Sequence, residues 1–195
     1  MNKKPIVYLD MDGVIVDFVG GLHRALGLPY SVKEYPHPAG VYEMFPHAVS
    51  ATVGRHTMES LLAGCSTVSF WENLRWDPLG GEILEIIESY GDEIYLTSYP
   101  MKDPCTWLGK LRWIDKHIPQ YNNKVILMTA HKQLLAKPGT ILVDDRDDNV
   151  DKFCAAGGSG YLVPQPWNSA HKKYSSNWLV HFDLWMKSVC KTTST

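Results

Sequence analysis

Residues 5–17 read Pro-Ile-Val-Tyr-Leu-Asp-Met-Asp-Gly-Val-Ile-Val-Asp, an apolar run that delivers two aspartates, Asp10 and Asp12, to the glycine at position 13. Alternate side chains of a strand share a face, so both carboxylates can approach one point if the chain bends after Leu9. Two crowded carboxylates repel unless a cation or a shared proton offsets the repulsion. The pair therefore points to a metal-assisted site. An EF-hand calcium loop counted from Asp10 needs glycine at its sixth position and glutamate at its twelfth, where this chain has Ile15 and Gly21, so that reading fails. A purely local Asp-Gly turn stays open on the string alone.

Four more segments, 93–97, 124–128, 140–144 and 160–164, share with 6–10 the strand signature of β-branched and apolar residues stopped by a polar or turn residue. Helical periodicity fills the intervals. Residues 79–90 place Ile83, Ile86, Ile87 and Tyr90 on one stripe, and 105–117 place Trp107, Leu108, Leu111 and Ile114 on another. A shorter helix is expected over 147–156, and an amphipathic one over 178–190 with a fraying tail beyond it. Strand and helix alternating in this way predict an α/β fold, a parallel sheet with helices on both faces. Residues 29–76 break the rhythm with Tyr-Pro-His-Pro, Phe-Pro-His and glycines at 54 and 64. The economical division is a core of 1–28 and 77–195 with a small, mostly helical cap of 29–76 inserted after the first strand.

The 195 residues suit one packed domain with an insert, and 45% hydrophobic with 21% charged residues is ordinary globular composition. A net charge of −2 supplies no electrostatic footprint for a nucleic acid polymer, though a small anion needs only a local cationic pocket. The four cysteines, 65, 105, 154 and 190, form no CxxC pair and read as reduced, buried small hydrophobes. The histidines show no HxxxH or HExxH spacing, which argues against zinc. The first residues are too short an apolar run for a signal peptide, and no 18-residue apolar stretch exists to span a membrane. The expected compartment is the cytoplasm.

In open α/β sheets ligands bind beyond the carboxyl ends of the strands. This chain places Asp10 and Asp12 at the first such end, Thr97 and Ser98 at the second, Lys132 after the third, and Asp144 and Asp145 at the fourth. Each has a use toward a phosphate ester. Asp10 can attack phosphorus, and Asp12 can protonate the departing alkoxide and then deprotonate water. Thr97 can hold phosphoryl oxygens whose charge Lys132 neutralises, while Asp10 and Asp144 are hard oxygen ligands suited to Mg²⁺. Singly, each has a plainer reading: a turn or helix cap for Thr97 and Ser98, a surface lysine for Lys132, a helix-capping acidic loop for 144–148. Their order at successive strand ends favours the site.

The segments VYLDMDGVIVDF, IYLTSYP, MTAHKQLL and ILVDDRDDNV resemble, in order, the four motifs of haloacid-dehalogenase-type phosphohydrolases. The likeness is nearest to the 5′(3′)-deoxyribonucleotidases and spans about residues 5–160. It implies a Rossmann-like core, Asp10 as nucleophile and Asp12 as general acid and base. It also implies Mg²⁺ held by the Asp10 carboxylate, the Asp12 carbonyl and Asp144, with Asp145 in support. Thr97, Lys132 and Ser98 would bind the phosphoryl group, and Phe18 would lie beside sugar and base. Ala130 and His131 depart from the arginine and acid of the animal members, and Tyr99-Pro100 lengthens the second motif by one residue.

The aromatics Phe18, Tyr42, Phe45, Phe70, Trp71 and Trp76 either fill a small helical core or line a nucleobase slot, with Phe18 and Trp71 as the bracketing pair. The resulting expectation is a Mg²⁺-dependent phosphomonoesterase acting on deoxyribonucleoside monophosphates, with a small-molecule phosphate ester as its partner. The alternatives are a phosphatase for a sugar phosphate, a mutase, or a nucleotide-binding module without turnover. Oligomeric state stays open, a homodimer included.

Overall fold

A computed structural model describes residues 4–29, 40, 57, 63–91, 93–101, 103–127, 131–173 and 177–192. The strands β1 (Ile6–Asp10), β2 (Glu93–Ser98), β3 (Val125–Leu127), β4 (Thr140–Asp144) and β5 (Ser159–Leu162) form one sheet of order β3-β2-β1-β4-β5, every pairing parallel. The helices are α1 (Phe18–Ala25), α2 (Val68–Glu72), α3 (Gly80–Tyr90), α4 (Pro104–His117), α5 (Asp147–Ala155) and α6 (Trp178–Thr192).

Strand alternation explains why these runs are apolar throughout. Val7, Leu9, Ile94, Leu96, Ile141 and Val143 enter one core with Ile83 and Ile87 of α3 and Phe182 and Met186 of α6. Tyr8 and Leu142 belong to a second cluster with Phe153 of α5. Both faces are thus covered, as a parallel sheet requires. The chain leaves β1 toward β2 and β3, then returns to the other side of β1 for β4 and β5. Connections departing in opposite directions open a crevice at the carboxyl end of β1, the usual ligand position in such sheets.

The α/β expectation holds, with differences at the level of faces and ends. Residues 18–25 form a helix that periodicity did not reveal, because Gly20 and Gly21 depress helix propensity. Both glycines serve close approaches. A Cβ at Gly20 would lie 2.5 Å from Oδ1 of Asp17, the residue that caps this helix by accepting from Gly20 N, and one at Gly21 would strike Leu74. Helix α4 has the expected period but another phase. Trp107, Leu108 and Leu111 of the predicted stripe are exposed, and the buried face carries Thr106, Gly109, Lys110, Trp113 and Ile114. Strand β5 begins one residue earlier than expected, and Met128, expected in β3, lies outside the described residues. Helix α6 runs through Thr192, two residues past the expected end, and residues 193–195 of the expected fraying tail lie outside the described residues. All four cysteines are free, but only Cys65 is fully buried and Cys154 is exposed.

Most of segment 29–76 lies outside the described residues, Tyr42 and Phe45 among them. Its last part, α2, packs on α4 through Gly109, where a Cβ would come 2.8 Å from the Val68 carbonyl oxygen and closer still to Trp71 Cβ. Trp113 Nε1 donates to the Leu74 carbonyl at 2.9 Å, locking the pair. Gly109→Ala should therefore destabilise the protein by about 1–3 kcal/mol through overpacking, despite alanine's better helix propensity. Gly81→Ala, where a Cβ meets nothing within 4 Å, should instead gain about 0.5 kcal/mol. Melting temperatures that moved in the same direction for both would contradict this packing.

Candidate active site

The register of the sheet assembles the site. Asp10 is paired with Thr97 across β1 and β2, and Leu9 with Val143 across β1 and β4, which sets Asp144 beside Asp10 at the same strand ends. Gly13, with φ +74°, turns the chain back immediately afterwards, and a Cβ there would meet Asp145 Oδ2 at 2.5 Å. That contact and the positive φ explain the glycine. Gln165 Nε2 donates to the Gly13 carbonyl at 2.7 Å, pinning the turn from the far side of the chain.

The structure brings together Asp10, Thr97, Ser98, Lys132, Asp144 and Asp145, all of them buried, and seats Asp12 at their edge. Lys132 Nζ donates to Asp10 Oδ1 at 2.5 Å and to Asp144 Oδ2 at 2.6 Å. It is no surface lysine. Asp144 also accepts from Arg146 N at 2.9 Å and from Asn149 Nδ2 at 3.1 Å through each oxygen. Asp145 Oδ2 accepts from Trp167 Nε1 at 2.6 Å. Ligand atoms of Asp10, Asp144 and Asp145 all lie within 4.8 Å of one another.

Burial pushes the Asp10 carboxyl up to about 7, with Lys132 opposing and Asp144 and Asp12 adding to the rise. Asp145 is raised well above the ordinary carboxylate range by burial first, then by Asp144 and Asp10. Burial alone would lower Lys132, but the charges of Asp10 and Asp144 outweigh it and hold the ammonium on. Three buried carboxyls against one lysine leave an excess of negative charge that a divalent cation would offset, and an all-oxygen donor set fits Mg²⁺. Among the described residues, the buried Thr97 Oγ1 and Asp12 Oδ1 have no hydrogen-bond partner. Buried polar atoms seldom stay unpaired, so Thr97 Oγ1 is free to donate to a ligand's oxygen and Asp12 Oδ1 to accept from a ligand's donor.

Phe18 behaves differently from the expectation. Its ring stacks on Trp71 with centroids 5.2 Å apart and planes within 3°. A base between them would need about 7 Å, two van der Waals contacts of about 3.5 Å each. Phe18 and Trp71 therefore do not bracket a base but pack against each other, with Phe70 edge-on to both.

Sequence reasoning missed Lys110. It is buried on α4, and its Nζ donates to Asp12 Oδ2 and, at 2.6 Å, to Ser98 Oγ. A lysine three residues before Trp113 and four before Ile114 was the available signal, visible only once the helix phase is known. Trp167 and Asn149, which hold Asp145 and Asp144, had no local signature.

A family model described as 5′-nucleotidase, deoxy (pyrimidine), cytosolic type C matches residues 4–188. The chain belongs to that family. A protein of Vibrio phage KVP40, provisionally named 5′(3′)-deoxyribonucleotidase, is 27% identical over 150 residues, 76% of this chain and 70% of the phage protein. Among solved structures, a hydrolase from Streptococcus pneumoniae superposes with TM-score 0.56 at 14% identity, covering 84% of this chain and 94% of that one. A haloacid-dehalogenase-type hydrolase from Bacillus subtilis, bound to magnesium, gives 0.53 at 11% identity over 83% and 87% of the two chains. These last two show the shared fold. The protein is thus a phosphomonoesterase of the 5′-nucleotidase type on the haloacid-dehalogenase fold, and its substrate is a small phosphate monoester. Among the described residues, no helix is long and apolar enough to cross a membrane.

Proposed function

We propose that this 5′-nucleotidase hydrolyses deoxyribonucleoside monophosphates through a phosphoryl group carried on Asp10, in the cytoplasm, with 29–76 as a cap over a core of 1–28 and 77–195. The observation that carries the reading is the buried, unpartnered Thr97 hydroxyl, in register with Asp10 and beside the Lys132 bridge. In the first step an Asp10 carboxylate oxygen attacks phosphorus, and the bond to the sugar oxygen breaks with its electron pair. Asp12 gives a proton to that oxygen. In the second step water attacks the same phosphorus, Asp12 takes the proton, and the Asp10 carboxylate leaves. Thr97 and Ser98 hold the phosphoryl oxygens, and Lys132 balances their charge through the proton it does not give to Asp10 or Asp144. Mg²⁺ would be held by Asp10, Asp144 and the Asp12 carbonyl, with Asp145 in support. When bound, it supplies charge neutralisation at the phosphate and relief of carboxylate repulsion.

The test is phosphate release from deoxyribonucleoside 5′- and 3′-monophosphates and ribose 5-phosphate, with Mg²⁺ and with EDTA. Turnover of the nucleotides that EDTA abolishes and Mg²⁺ restores is the expected result. A preference for ribose 5-phosphate would remove the nucleotide assignment and leave the phosphatase. Metal binding should also depend on pH with a definite sign. The Asp10 carboxyl, raised to about 7, must lose its proton to bind a cation, so Mg²⁺ should bind more tightly as pH rises from about 6 toward about 8 and then level off. An affinity flat across that range, measured by calorimetry, would exclude Asp10 as a ligand.

A further inference from the structure

Lys110 has a place in the site that the motifs do not account for. It lies on α4, only 2% exposed, and its ammonium is spent in three directions. One proton goes to Asp12 Oδ2, a second to Ser98 Oγ at 2.6 Å, and the third faces the Trp71 ring, 4.7 Å from its centroid. Three donors are all that an ammonium has. Lys110 is therefore committed to protein groups, unlike Lys132, which among the described residues donates to two carboxylates and keeps a third proton. Its effect on Asp12 is directional. Oδ2 is tied down while Oδ1 is buried without a partner among the described residues, so one of the two carboxyl oxygens is left uncommitted. A carboxyl turns easily about its last torsion, whose energy well is broad. Among the described residues, no other side chain donates to the Asp12 carboxyl to fix that torsion. Ser98, having accepted from Lys110, keeps its own hydroxyl proton to donate.

We propose that Lys110 is a positioning residue that holds Asp12 Oδ1 toward the leaving-group oxygen. The role rests on Asp12 as the acid of the reaction proposed above. Because Trp71 covers the same ammonium, α2 is coupled through Lys110 to the acid itself. Loss of Lys110 frees the Asp12 carboxyl to swing, and proton delivery suffers while attack by Asp10 does not.

The test separates proton-dependent from proton-independent departure. In Lys110→Met the stem that packs on Trp71 is kept, and Asp12, 23% exposed at its side chain, stays partly solvated without its partner. Rapid-quench measurement of the first step should show a loss on the order of 100-fold for a deoxyribonucleoside monophosphate, whose alkoxide must be protonated. With 4-nitrophenyl phosphate, whose phenolate departs without a proton, the burst should stay within about threefold of wild type. In an Asp12→Asn background, Lys110→Met should then change nucleotide turnover by less than about threefold, because the group it positions is gone. Melting temperature and inorganic phosphate binding in the presence of Mg²⁺ report on the fold. Equal losses on both esters, no loss on either, or a large further loss in the Asp12→Asn background would overturn the role of Lys110 while the phosphatase stands. A wild-type protein that released phosphate from neither ester would overturn the catalytic reading, and this role with it.

Discussion

Asp10→Asn should lower turnover by at least several orders of magnitude while leaving the melting temperature equal to wild type or above it. An amide has no useful nucleophilic oxygen, and it is a poorer metal ligand than a carboxylate. The fold should not suffer. The substituted amide retains an oxygen to accept from Lys132 Nζ, which also keeps Asp144 as a partner. The sign of the stability change follows from the raised carboxyl of Asp10. Its folded value of about 7 lies above the unfolded one, so its contribution falls as pH rises between the two, and above about 7 the buried charge is fully unfavourable. A neutral amide removes that cost, and the gain should be larger at about pH 8 than at about pH 5. Residual kcat above about a tenth of wild type, under ~1.4 kcal/mol of lost transition-state stabilisation, would rule out attack by Asp10.

Lys132→Met should be the most destabilising single change at the site. Among the described residues, Lys132 is the cation within hydrogen-bonding distance of Asp10 and Asp144, and removing one partner of a buried ion pair costs about 3–5 kcal/mol. For a chain of this size that is roughly 10 °C in Tm. Asp10 can escape part of the penalty by taking up a proton. The loss should therefore be smaller near about pH 5, where Asp10 is neutral, than near about pH 8, where it is forced to ionise. Mg²⁺ at millimolar concentration should restore part of the lost stability if the same carboxylates hold the cation, whereas it should do nothing for rate without a group to balance the phosphoryl charge. A Tm unchanged at the higher pH would mean that Lys132 leaves the cluster in solution.

The match between sequence and structure was good where a signal is local. β1 and β4 were legible to the residue because strands deep in a parallel sheet are covered on both faces and read as unbroken apolar runs ending in polar groups. Their ends carry Asp10 and Asp144, so the carboxylate cluster was legible with them. α4 was legible only in part. Its period was visible, but Trp107, Leu108 and Leu111 turned out exposed because the helix buries the side where Gly109 admits α2. α1 was hidden by two glycines that look like a break and are in fact contact points for Asp17 and Leu74.

From the sequence by itself came the α/β alternation, the strand ends and the residues Asp10, Asp12, Thr97, Lys132 and Asp144, because the two periods, about 2.0 and about 3.6 residues, are properties of the backbone and need no partner. Only the tertiary structure decided which side of α4 is buried, that Phe18 and Trp71 close on each other, and that Trp167 holds Asp145. It alone brought Lys110 to Asp12 across a separation of 98 residues. The physical reason is the same in each case. A repeating pattern says that an element has an apolar face, but what that face meets depends on close packing between segments far apart in the chain, and a buried charge is tolerated only where that packing supplies its partner.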